Sequence, residues 1–368
     1  MIGSAVAFDL SRDAGFDVAV ADRSPERLSA VAGRARVRTV DADLSRPDVV
    51  RALAADADLV VGAMPSALGY QTVQAVIAAG RHCVDISFMA EDALALDSAA
   101  RERGVTVVAD CGIAPGLSNM MAGYAASRLT HCERVEIAVG GLPRERQWPY
   151  EYKAGFAPSD VIEEYVRPAR VVESGREATR PALSDVHLVE VPGVGTLEAF
   201  LTDGLRSLVR TLAADHMQER TLRYPGHAHL MRALRDTGFF SRDTIDVKGQ
   251  RVSPMDVTSA LLFPRWTYAE GEADVTVMRV LVEGREGESR VRYRWNVLDF
   301  YDPSTGLRSM SRTTAFSAAS VARLVAGGAF ARAGVCAPEE IGGRPGLLDR
   351  VLNDLRDRGI RIDAEEER

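Results

Sequence analysis

Apolar residues in the first third of the chain gather into short unbroken runs, at residues 17–22, 37–41, 57–63, 82–86 and 105–109. The runs are rich in Val and do not alternate strictly with polar positions, which is the pattern of strands covered on both faces of a parallel sheet. Between them apolar residues recur at helical spacing, as at Ile2, Val6, Ala7 and Leu10 before the break at Gly15. Strand and helix therefore take turns, and the pattern predicts a doubly wound α/β domain with a parallel sheet.

The rhythm changes after residues 110–119, where Gly112, Pro115 and Gly116 shape a turn between strand and helix. Such turns lie at the carboxyl edge of the sheet, where ligands of these folds sit. Beyond it come strand candidates at 134–140, 170–173, 186–191, 274–283 and 289–298. The last two alternate apolar and polar residues, as an antiparallel pair with one solvated face does. A second domain, α+β on an open antiparallel sheet, is expected here. Residues 313–326 and 347–358 read as amphipathic helices ahead of an acidic end at 363–367, a tail expected to pack back on the first domain. The expected division is 1–116, 117–312 and 313–368.

Candidate chemistry begins at the first residues. Gly3, preceded by Met1 and Ile2, fits the third glycine of a G-x-G-x-x-G loop, in the first turn of a helix where the pyrophosphate of a dinucleotide would face the helix N-terminus. The first two glycines and the strand before them are not in the sequence. In the strand order 3-2-1-4-5-6 that strand is central. The expectation is a truncated start, with dinucleotide binding weak or absent from this chain alone. Asp22 ends the next strand, roughly 20 residues past the loop, where an acid holds the adenosine ribose hydroxyls. An acid there repels a 2′-phosphate and favours NAD, whereas Arg23 beside it is able to accept the phosphate, so NADP stays open.

Composition narrows the classes. Of the 368 residues 46% are hydrophobic and 26% charged, ordinary for a globular enzyme, and the net charge is −7. No Lys/Arg run is long enough for a nucleic-acid footprint, and no apolar stretch approaches the roughly 18 residues of a membrane span. The interior reads as cytoplasmic. Cys83, Cys111, Cys132 and Cys336 form no C-x-x-C pair, and His227 and His229 diverge on a helix, so neither a metal site nor a disulfide framework is indicated.

Several segments together resemble the saccharopine dehydrogenase and lysine 6-dehydrogenase family: Ala63-Met64-Pro65, Val84-Asp85-Ile86-Ser87, Asp110-Cys111-Gly112 with Ala114-Pro115-Gly116-Leu117-Ser118-Asn119, Gly140-Gly141-Leu142-Pro143, and Thr221-Leu222-Arg223-Tyr224-Pro225-Gly226-His227. The last two look nearer to lysine 6-dehydrogenases. The resemblance implies a Rossmann-type domain with an inserted sheet domain that makes a homodimer contact. It also implies oxidation of a carbon–nitrogen bond of an amino acid by NAD or NADP. For lysine, hydride would leave the ε-carbon, and water would hydrolyse the imine to 2-aminoadipate 6-semialdehyde and ammonia.

That reaction needs a neutral ε-amine, whose ordinary pKa is about 10.4, and an activated water. Asp110 is a candidate for either task, with a turn-capping role as the alternative. Lys153, in the aromatic segment Trp148-Pro149-Tyr150-Glu151-Tyr152-Lys153, is a candidate base or a surface lysine. Arg223 suits a substrate carboxylate or a plain salt bridge, Tyr224 adds a hydroxyl, and His227 is a group able to titrate near neutrality. Asp203 and Gly204 shape the same pocket or form a simple turn. On the cofactor side the resemblance points to Asp43, to the backbone of Ala63, Met64 and Pro65, and to Ser87, Cys111 and Gly112. Two other readings remain. A saccharopine-type oxidoreductase would use several of Arg144, Arg146, Arg167 and Arg170 to hold extra carboxylates, and a non-catalytic protein of the same fold would have lost the dinucleotide.

Overall fold

The computed structural model describes residues 2–368; Met1, assigned above to the glycine loop, lies outside them. The chain forms two units, one of residues up to Ser127 with Ser311–Ile360, the other of Arg128–Met310 with Arg361–Arg368.

The first unit opens with α1 (Ile2–Leu10), β1 (Ala19–Asp22), α2 (Pro25–Ala32), β2 (Arg38–Asp41), α3 (Pro47–Ala55), β3 (Leu59–Gly62) and α4 (Ser66–Ala78). It continues through β4 (His82–Asp85), α5 (Asp97–Glu102), β5 (Thr106–Val108) and α6 (Leu117–Ala126). All its strands run parallel, with β1 beside β2 and a four-stranded sheet closed by a strand from the chain's end. No ladder joins β1 to β3 among the described residues. These two strands would flank the first strand of the 3-2-1-4-5-6 order. Val73, Val76 and Ile77 of α4 pack on Cys83 and Val107, which explains the unbroken apolar runs: both sheet faces are covered.

The second unit holds β6 (His131–Pro143), α7 (Pro158–Val166), β7 (Ala169–Glu173), β8 (Arg176–Arg180), β9 (His187–Val191) and β10 (Gly195–Leu201). After them come α8 (Leu208–Thr211), β11 (His216–Arg223), α9 (His227–Thr237), β12 (Ile245–Val247), β13 (Gln250–Val252), α10 (Pro254–Trp266), β14 (Asp274–Glu286) and β15 (Ser289–Phe300). The chain then returns through α11 (Ser309–Ala326), β16 (Gly334–Cys336), α12 (Pro338–Gly342) and α13 (Leu347–Asp357), and ends in β17 (Arg361–Glu367). β16 is the strand that extends the first unit's sheet beside β5.

The large sheet has nine strands, ordered β17-β15-β14-β6-β11-β10-β9 with β7 and β8 branching from β11. It is mixed rather than antiparallel, because β6 and β11 run parallel. The long connection between them gives the chain room for the crossover that a parallel pair requires.

Two boundaries differ from the sequence expectation. Helix α6 belongs to the first unit, where Gly123 and Gly342 let it touch α12; a Cβ at Gly342 would lie 1.8 Å from the Met120 carbonyl oxygen. The acidic end, expected to pack back on the first domain, is a strand of the second unit's sheet paired with β15. Its carboxylates lie across from arginines of β15, with Arg292 to Glu367 and Arg294 to Glu365 both 3.0 Å apart, and alternating charges paired across strands tolerate a sheet edge.

Candidate functional site

At the carboxyl edge of the first unit, each strand delivers a short turn. Asp22 ends β1 with Oδ1 accepting the Ser24 N–H at 2.9 Å, while its Oδ2 has no hydrogen-bond partner among the described residues. Arg23 is exposed beside it. Asp43, in the turn after β2, is exposed; the Ser45 hydroxyl (2.7 Å) and N–H (3.1 Å) hold its carboxyl below the usual range, and Arg23 adds to the effect. After β3, Ala63 and Pro65 are exposed and Met64 half-buried, and the first turn of α4 has no side-chain cap. Uncapped N–H groups on an exposed helix start are donors for an anion.

The next turns are buried. Ser87 donates to Asp85, the buried end of β4. Asp110 is half-buried in the left-handed region at φ 53°. Cys111 is fully buried, its N–H donates to the Asp85 carbonyl at 2.8 Å, and burial raises its thiol so far that it stays protonated. Gly112 and Gly116 close the turn: Gly116 sits at φ 130°, and a Cβ there would lie 2.1 Å from the Gly112 carbonyl oxygen. Gly3 starts α1 close to β3, 3.3 Å from the Ala63 Cβ if a Cβ is added. An open carboxylate oxygen for a diol, a helix start without a side-chain cap and a run of tight turns fit a dinucleotide.

The second unit holds an aromatic and ionic cluster. Arg223, at the end of β11, is 3% exposed, stacks 4.5 Å over the Tyr152 ring, and donates to Glu164 at 2.8 Å and to the Leu222 carbonyl at 3.0 Å. Its Nε has no hydrogen-bond partner among the described residues. His227 opens α9, whose first N–H groups, at Gly226 and Ala228, donate to the buried Glu198 carboxylate. His227 Nδ1 lies 3.1 Å from the Tyr150 carbonyl and Nε2 2.9 Å from the Tyr165 hydroxyl. A carbonyl only accepts, so Nδ1 carries the proton and Nε2 takes the tyrosine hydrogen.

Burial, with Arg223 nearby, pushes His227 down to about 3. This corrects the expectation that it titrates near neutrality: it is neutral throughout the working range and serves as a bridge between two tyrosines. Tyr224 donates to the Pro143 carbonyl at 2.9 Å beneath the Arg146 guanidinium. Lys153 is buried rather than a surface lysine, with Nζ 2.6 Å from Glu272 and 5.9 Å from the Tyr268 ring centre. Asp203 is buried too, and forks Arg170 at 2.8 and 3.0 Å.

The structure thus gathers Arg223, Tyr224, His227 and Lys153 in the second unit, and Gly3, Asp22, Arg23, Asp43, Ala63, Met64, Pro65, Ser87, Asp110, Cys111 and Gly112 along the first unit's edge. Not singled out by the sequence are Asp85, Glu164, Glu198, Glu272 and Glu219, the last buried in β11 where it accepts the Thr202 hydroxyl and the Gly204 N–H. Only Asp85 carried a signal, an acid ending a buried strand. The four glutamates sit in segments whose pattern gives no hint that a carboxylate turns inward.

Fold and edge together define a Rossmann-type dinucleotide-binding protein with an inserted mixed-sheet unit. The chain belongs to the saccharopine dehydrogenase family: the saccharopine dehydrogenase NADP binding domain matches residues 1–108 and the saccharopine dehydrogenase C-terminal domain matches residues 112–360. Saccharopine dehydrogenase [NADP(+), L-glutamate-forming] of Pyricularia oryzae is 22% identical over 77% of this chain and 66% of its own length. The bovine mitochondrial alpha-aminoadipic semialdehyde synthase is 21% identical over 67% of this chain and 28% of its own. The chain therefore spans less than two thirds of these relatives. Among solved structures, apo saccharopine dehydrogenase (L-Glu forming) from Saccharomyces cerevisiae superposes with a TM-score of 0.79 at 18% identity, covering 100% of this chain and 98% of that one. A homospermidine synthase from Legionella pneumophila in complex with NAD gives 0.67 at 12%, covering 100% and 89%.

Proposed function

We propose that this chain is an NAD(P)-dependent oxidoreductase that oxidises an amine of an amino acid, with the 6-amino group of L-lysine as its substrate. The observation that carries the choice of a small amine is the state of four arginines. Arg146 is ion-paired with Glu151, Arg170 forks Asp203, and Arg167 lies 3.8 Å from Glu163. Arg144, stacked on Phe300, keeps a guanidinium without a carboxylate partner among the described residues. One open cation suits the single α-carboxylate of lysine better than the several carboxylates of saccharopine.

The overall change converts a lysine ammonium, NAD⁺ and water into the semialdehyde, NADH, ammonium and a proton. A nicotinamide dinucleotide held at the first unit's edge would supply the hydride acceptor. Asp22 Oδ2 would accept from its ribose hydroxyls, and the start of α4 would hold its phosphates. Asp110 takes the proton that leaves the ammonium and passes it to solvent, the net proton released, and then, again a carboxylate, takes the proton of the water that attacks the imine and returns it to the leaving amine. Lys153 holds the substrate end of the second unit through its pair with Glu272. Arg223 and His227 keep Tyr152 and Tyr165 in place rather than touching substrate. The enzyme works as a cytoplasmic homodimer in this reading. Arg23 and the exposed Asp43 leave both dinucleotides admissible.

A second reading, a saccharopine-type oxidoreductase, draws on the names of the relatives above. Absorbance at 340 nm with NAD or NADP and either L-lysine or saccharopine separates the two. Reduction with lysine and one ammonia per NAD(P)H supports the lysine reading; reduction with saccharopine alone overturns it.

A further inference from the structure

Asp85 ends β4 with its side chain completely buried. Its Oδ1 accepts the Ser87 N–H at 2.8 Å and its Oδ2 accepts the Ser87 hydroxyl at 3.2 Å. Its carbonyl accepts the Cys111 N–H at 2.8 Å, and Ile86 N–H donates to the Gly62 carbonyl at 3.0 Å. The ends of β3, β4 and β5 therefore meet around one carboxyl.

Two glycines clear its space. A Cβ at Gly62 would lie 2.0 Å from Asp85 Oδ2, and one at Gly69 of α4 would lie 2.5 Å from the Ser87 Cβ. The groups that face Asp85 are Asp110 and the Cys111 thiol from the segment after β5 and the Cys83 thiol on its own strand, while β3 and α4 present glycine. The charged group among them is Asp110, which has the same sign. Burial, with a smaller push from Asp110, lifts the Asp85 carboxyl to about 7 against the pull of the Ser87 bonds.

We propose that Asp85 is a positioning residue, a neutral carboxyl clasp that fixes the ends of β3, β4 and β5 in the arrangement a dinucleotide requires and releases that arrangement when it ionises. A charge in that space, offset by the two Ser87 donors but opposed by burial and by Asp110, is costly, so ionisation is coupled to loosening of the turns around it. The clasp rests on the proposed dinucleotide site for its purpose but not for its existence.

Hydrogen exchange of residues 62–65, 86–89 and 110–116, followed from pH 5.5 to 9 in the wild type, Asp85→Asn and Ser87→Ala, tests it. The wild type is expected to lose protection beyond the intrinsic rate with a midpoint near 7, Asp85→Asn to stay flat, and Ser87→Ala to shift the midpoint upward because a bond favouring the ionised form is gone. In the same proteins the Kd for NADH, read from its fluorescence, is expected to weaken by up to about tenfold per pH unit above the midpoint in the wild type and to stay level in Asp85→Asn. An Asp85→Asn exchange profile with the wild-type pH dependence, or a wild type with none, overturns the clasp. Exchange as expected with no NADH binding at any pH upholds the clasp and instead removes the dinucleotide reading.

Discussion

Replacing Glu219 by Gln removes a buried titrating group and exchanges it for a neutral one of the same shape. Glu219 sits in β11 at 3% exposure, with Oε2 accepting the Thr202 hydroxyl at 2.6 Å and the Gly204 N–H at 3.1 Å. Burial pushes its carboxyl from 4.5 up to about 8, and Glu164 and Asp203 push the same way. At about 1.4 kcal/mol per unit, the ceiling on the linked free energy is about 5 kcal/mol, and relaxation around the charged form lowers the expected value to about 2–3 kcal/mol. The sign follows from proton counting: between pH 4.5 and 8 the folded chain keeps a proton that the unfolded chain has lost, so this contribution is full below 4.5 and is lost as pH rises through 8.

His227 works in the opposite direction. Its folded value near 3 lies below the ordinary 6.5, so its contribution is full above 6.5 and is lost as pH falls. His227 opposes Glu219 between 4.5 and 6.5, Asp85 adds to the Glu219 slope up to about 7, and of these three groups Glu219 alone should titrate between 7 and 8. Urea unfolding followed by circular dichroism at pH 5.0, 6.5 and 8.5 measures the difference between Glu219→Gln and wild type. Gln is expected to cost about 1 kcal/mol at pH 5.0, since its NH₂ gains no partner, and to gain about 2–3 kcal/mol on the wild type by pH 8.5. A difference that does not change with pH would mean that the folded chain does not hold the Glu219 carboxyl above its ordinary range.

Three further outcomes follow. Arg223→Met leaves Glu164 without its ion-pair partner and removes the stack on Tyr152, and should cost about 3–5 kcal/mol in urea unfolding at pH 7. His227→Gln retains an acceptor for Tyr165 and a donor for the Tyr150 carbonyl, so its unfolding midpoint should fall less than the wild type's between pH 7 and 4.5. Asp22→Ala should weaken NADH binding about tenfold by fluorescence titration while leaving NADPH binding less affected, since the carboxylate that would oppose a 2′-phosphate is gone.

Much of the first unit was legible because both faces of its sheet are covered: the Val-rich runs at 57–63, 82–86 and 105–109 became β3, β4 and β5. The turn chemistry of Gly112 and Gly116 was legible for the same reason, as glycines mark backbone that other residues resist. The second unit was harder to read. β8 carries charge at most positions and β10 stands in a long sequence gap, so neither shows a period. The acidic run of β17 was not legible as a strand because its arginine partners lie some 70 positions earlier in the chain, at Arg292 and Arg294. Site residues divided along the same line. Asp22 was found by its distance from the glycine loop, whereas the neutrality of His227 depends on burial and on Arg223, which no spacing reveals.

The most direct test of the proposed activity follows the hydride itself. The chain is incubated with NAD or NADP and L-lysine carrying two deuterium atoms on carbon 6, and the reduced dinucleotide is examined by mass spectrometry. One deuterium per reduced nicotinamide, formed together with ammonia, is the expected result. Reduced dinucleotide without the label, or no reduction by lysine while saccharopine is oxidised, would contradict it.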